Sequence, residues 1–144
     1  MADDGFSDEE RAAMKARAEE FKVSTRRGAG AKKAAADAQD VLDRIAEMTG
    51  ADRAVAEALH AIVAEHAPEL APKTWYGMPA YARDGKVVVF FKPAAKFKVR
   101  YGEVGFNEWA HLDDGVMWPT VFAVTAMNGE VEQALTELVR KAVS

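Results

Sequence analysis

Apolar positions recur at helical spacing in four stretches of the chain, and between the third and fourth the spacing changes to that of strands. The first helix is marked by Ser7 and Glu10, the two ends of a capping box, with Asp8 and Glu9 where the helix dipole favours negative charge. Its apolar stripe is thin (Met14, Ala18 and Phe21, helped by Ala13), and it is expected to end near Phe21. Ala38, Val41, Leu42, Ile45 and Met48 predict a second helix, with Gly50 as a left-handed C-terminal cap. Val55, Leu59, Ile62 and Val63 predict a third, opened by Asp52 and carrying His66 on the same face. The last runs from an Asn128 cap through Val131, Ala134, Leu135, Leu138, Val139 and Ala142, with Arg140 and Lys141 at its negative end.

From Thr74 the pattern is that of a sheet. Pro79 to Arg83 and Lys86 to Lys92 read as a hairpin about Asp84-Gly85, a pair suited to a type I′ turn. Val87 to Phe91 is continuously apolar, as for a strand covered on both faces. Alternation of Lys96, Lys98 and Arg100 with Phe97, Val99 and Tyr101 predicts another strand, its basic face solvated. A loop of about a dozen residues then leads to Trp118-Pro119 and a strand near Thr120 to Thr125. Helices, an antiparallel meander and a final helix packed on the sheet make an α+β fold.

The run from Ser24 to Lys33 is basic, rich in small residues and free of large apolar ones, so it reads as a flexible linker. Residues 1–33 are therefore expected to form a helix-plus-linker extension on a domain spanning 34–144.

Composition narrows the chemistry. With 144 residues the chain suffices for one core, and its formal net charge of −4 argues against a nucleic-acid partner. No apolar run approaches the ~18 residues that span a bilayer, and the N-terminus is acidic where a signal peptide is basic, so a cytoplasmic protein is expected. There is no cysteine, which removes thiolate metal sites and thiol nucleophiles. Of the three serines, Ser7 and Ser24 lie in the expected extension and Ser144 is the terminal residue, which argues against a serine hydrolase.

Two constellations remain. His111, Asp113 and Asp114 bring an imidazole and two carboxylates onto one short loop, a donor set suited to iron(II) or manganese(II); the same Asp-Asp-Gly run also suits a turn. Asp3, Asp4, Asp8, Glu9 and Glu10 form a second acidic cluster. Trp75, Tyr76, Met78 and Tyr81 surround Gly77 at a chain reversal, where indole N–H and phenol O–H groups could line a ligand pocket closed by Trp118.

Three stretches also carry a resemblance: Phe6 to Lys15, the run PKTWYGMPAYARDGKVVVFF from Pro72 to Phe91, and LDDGVMWPT from Leu112 to Thr120. Together they resemble the YdhG-like domain of unknown function, a family that includes a frataxin-like intracellular iron chaperone. The resemblance implies an α+β domain without catalysis, binding iron(II) and handing it to iron-acceptor proteins. From their donor types, His111, Asp113 and Asp114 are the expected iron ligands, with the N-terminal acidic cluster as the alternative site. The alternative is a small-ligand or protein-recognition module centred on Trp75 to Tyr81.

Overall fold

The computed structural model describes residues 5–144, so Asp3 and Asp4 of the acidic cluster lie outside the described residues. Three helices come first: α1 (Asp8–Arg27), α2 (Ala31–Glu47) and α3 (Gly50–His66). Five strands follow, β1 (Ala71–Trp75), β2 (Met78–Arg83), β3 (Lys86–Lys92), β4 (Gly102–Phe106) and β5 (Val121–Val124), with the short α4 (Ala94–Phe97) between β3 and β4. The last element is α5 (Gly129–Ala142). The strands pair antiparallel in chain order, giving the expected α+β meander. Among the described residues no helix is long and apolar enough to cross a membrane.

The sheet divides its side chains between two faces. Tyr81, Val89, Phe91, Val104 and Phe106 join the large core, against Val41 and Ile45 of α2, Val55, Leu59, Ile62 and Val63 of α3, and Leu135 and Val139 of α5. Ala80, Ala82 and Val87 form a second, smaller cluster, packed by Trp75 and Phe90. A register shift opposite Tyr81 and Ala82 inserts one extra residue into β3. Such a bulge turns two successive side chains to one side, and Val88 and Val89 both belong to the large core.

Both tight hairpins have positive φ at their two central residues, as type I′ requires: Tyr76 (54°) with Gly77 (75°), and Asp84 (53°) with Gly85 (78°). The second was legible from its Asp-Gly pair. The first was not, because tyrosine is an unusual residue for a left-handed position.

Several expectations are corrected. The predicted strand over 96–101 is the helical turn α4, closed by Lys98 in the left-handed region (φ 53°). Asp52, expected to cap α3, instead accepts from the amides of Ala94 and Ala95 at 2.9 and 3.0 Å, while Thr49 caps α3. A carboxylate from a distant helix thus satisfies the donors that start α4, and this outweighs the alternating pattern. The strand itself comes later, as β4, within the stretch read as loop. Likewise, Gly50 opens α3, and Met48 caps α2.

The last concerns 24–33, and with it the end of α1 expected near Phe21. α1 continues to Arg27 and α2 begins at Ala31, so Gly28, Ala29 and Gly30 are the whole break between them. Its capping box is formed as expected, with Ser7 Oγ accepting from Glu10 N at 3.0 Å and Glu10 Oε1 from Ser7 N at 2.9 Å.

Glycine in β4 has a steric reason. A Cβ on Gly105 would lie 2.2 Å from Phe90 Cζ, so the bare backbone is what lets the Phe90 ring lie across the strand. Gly105→Ala is expected to destabilise the protein by about 1–3 kcal/mol, an overpacking cost, read as a lower urea midpoint. In a Phe90→Ala background most of that cost should vanish, because the clash is then removed.

Candidate functional site

α1 has little to bury. Ala13 is its one buried residue, while Met14 and Phe21 are 37% and 59% exposed. It is held by polar contacts instead. Near its start, Glu9 Oε1 meets Lys98 Nζ at 2.9 Å. At its end, the Arg27 guanidinium spans to Asp37 and Asp40 on α2, 2.7 Å from each. In its middle, the Glu20 carboxylate crosses to the β1–β2 turn, accepting from Tyr76 N at 3.0 Å and from Gly77 N at 2.9 Å.

This arrangement leaves a cleft of about 360 Å³ between α1, α2 and β1. Ala16, Phe21 and Val23 give it an apolar wall, and Arg17, Arg27, Lys33, Arg44 and Lys73 give it cations, alongside Glu19, Glu20, Asp37 and Asp40. The volume falls in the range of small-molecule sites.

Most of those cations are already matched. Arg27 and Lys33 both pair with Asp37, Arg44 pairs with Glu47 at 2.8 Å, and Arg17 reaches Glu20 at 3.4 Å. Arg17 also stacks over Phe21, its Cζ 4.0 Å from the ring centroid. Lys73 differs. It is half-buried on β1, and no ion pair or side-chain hydrogen bond involves it among the described residues. Burial first, then the like charges of Arg17 and Lys33, push its ammonium below the ordinary 10.5, outweighing the opposite pull of Asp37 and Glu20. A second lysine behaves similarly. Lys96 donates to the Gly77 carbonyl at 3.1 Å, and desolvation and then Arg44 lower its pKa. β1 and its turn thus meet two lysines whose ammonium groups are held below their ordinary value chiefly by burial.

The residues expected to line an aromatic pocket are not gathered into one. Trp75 packs in the smaller cluster, its ring 5.1 Å from that of Phe90 and 5.0 Å from that of Tyr76. Met78 is 6% exposed, and Tyr81 is fully buried in the large core, its hydroxyl 3.0 Å from His60 Nδ1. Burial raises the Tyr81 phenol and lowers the His60 imidazole, so both are neutral partners. Trp118 lines a separate surface hollow with Phe106, Leu112, Val116 and Met117. From the Trp75–Tyr81 neighbourhood it is Gly77 that reaches the cleft, together with Thr74.

The expected iron(II) ligands do not converge either. His111 directs Nδ1 at the Ser144 carbonyl, donating over 2.9 Å, and its backbone N–H is held by Ala142 O. Asp113 and Asp114 are exposed. Among the described residues no three histidine or carboxylate side chains are placed to hold a metal ion. Donors in a loop signature identify candidates by type, whereas a divalent site needs them within bonding distance of one point.

Lys73, Arg17, Lys33 and Glu20 carried a weaker sequence signal, since nothing local marks charged residues on three separate elements as neighbours. Set against protein-family models, curated proteins and solved structures, the chain matches none.

The cleft's ion pairs fix its acid response. Burial alone would raise the Asp37 carboxyl, but hydrogen bonds from Lys33 and Arg27 hold it below the ordinary 3.8. A carboxyl depressed in the folded state stabilises the fold above its unfolded value, and that contribution disappears as pH falls through the folded value. Stability should therefore decline below about pH 4, and Asp37→Asn should flatten that limb in urea titrations taken between pH 5 and pH 2.

Proposed function

We propose that this protein is a non-catalytic binding protein for a small organic anion, held in the cleft between α1, α2 and β1. The observation that carries the reading is Lys73, a half-buried ammonium with no ion pair or side-chain hydrogen bond among the described residues, in a cleft whose other cations are paired. Desolvating a charge is costly when nothing pairs it. An anionic ligand supplies the missing partner, with Arg17 and Lys33 close enough to add to its field. The wall of Ala16, Phe21 and Val23 favours a ligand whose anionic group is attached to an apolar body.

This moves the recognition-module reading from the aromatic cluster to the neighbouring cleft. Iron(II) delivery, the activity implied by the resemblance, has no such support from the donor geometry.

The test is an amide NMR titration of the whole chain with inorganic phosphate and a panel of short aliphatic carboxylates. Saturable shifts at Lys73, Thr74 and Arg17 are expected with at least one carboxylate. Lys73→Met should weaken that binding about tenfold, the loss of one charge-assisted contact worth about 1.4 kcal/mol. Binding should also weaken as alkaline pH discharges Lys73, beginning below 10.5. No saturable shift, or equal affinity in Lys73→Met, would sink the reading.

A further inference from the structure

The β1–β2 turn presents two successive amides in one direction, and both are taken by a single carboxylate from 56 residues away, Glu20 Oε1 on Tyr76 N and Glu20 Oε2 on Gly77 N. Resting on the anion-cleft reading above, we infer that these two amides are a carboxylate-binding seat. Glu20 is its displaceable resident, and the cleft's ligand is an organic acid whose carboxylate takes that place.

Three observations argue for it. The turn does not need Glu20 in order to form: the equivalent turn at Asp84-Gly85 has the same pair of positive φ angles and, among the described residues, no side-chain acceptor on its amides. The seat is also shaped for a planar, two-oxygen group, since each amide addresses a different oxygen. Its surroundings favour an anion whichever molecule supplies it, because Lys96 lies against Gly77 at 3.1 Å and Arg17 lies 3.4 Å from the carboxylate.

Glu20 and Gly77 both line the cleft, so the seat borders the space that the ligand would occupy, and it is vacated when the Glu20 side chain turns away. α1 then acts as a tethered competitor, which reduces the apparent affinity for the ligand in proportion to the fraction of time that the seat is free. The ligand's body is left to lie along Ala16 and Phe21, with Lys73 taking a second anionic group of the ligand, the partner that the cleft reading requires there.

Acetate, a carboxylate with almost no body, is the probe. In Glu20→Ala the Tyr76 and Gly77 amides should shift saturably with acetate, at an apparent affinity about tenfold or more above that of the parent chain. Glu20→Gln, which keeps the side chain's length without its charge, should fall between the two; it also serves as the folded reference if Glu20→Ala is too unstable to study. Thermal stability of Glu20→Ala should rise with acetate but not with equal chloride. If acetate shifts Lys73 and Thr74 in these variants but leaves Tyr76 and Gly77 unmoved, the seat is refuted and the anion cleft stands. If inorganic phosphate occupies the turn as well as acetate does, the carboxylate assignment falls. If no anion moves any of the four residues, both readings fall together.

Discussion

Strand β3 is the constraint from which the rest of the molecule follows. Its side chains are buried on both sides of the sheet, yet α2, α3 and α5 pack on only one of them. The other side has to be covered from within the sheet. Trp75 and Phe90 do this by laying rings over Ala80, Ala82 and Val87, and Gly105 stays bare so that Phe90 can cross it. The aromatic richness of this half of the chain is thus largely spent on covering a small sheet.

α1 occupies the position left over. With one buried residue it cannot be held by apolar burial, so it is held at three points by carboxylates and cations. Contacts of that kind space a helix away from its support and leave room for solvent between them. The cleft is the direct result of a helix too polar to pack, and Lys73 is the one cation lining it that, among the described residues, has no ion pair.

Much of the fold was legible because it rests on local signals. Helical spacing located α2, α3 and α5, the capping box fixed the start of α1, and Asp84-Gly85 placed the β2–β3 hairpin. What was missed depends on partners distant in the chain. Asp52 starts α4, Arg27 extends α1 by holding it to α2, and β4 contains glycines that depress any strand signal. The cleft was invisible for the same reason, since Arg17, Lys33 and Lys73 become neighbours only once α1 and α2 lie across the sheet edge. His111, Asp113 and Asp114 are a different case: they are close in the chain, but the His111 ring is turned to the Ser144 carbonyl, both aspartates are exposed, and among the described residues no three such donors are grouped to hold a metal ion.

The meander also bears on how the chain reaches this state. Each strand pairs with the one before it, so the sheet can be assembled by successive short loop closures, each costing little chain entropy. The costly closure is the return of α5 to α3, which spans the entire sheet. The β-meander can therefore zip in sequence order, with the large core sealed only when the last helix arrives.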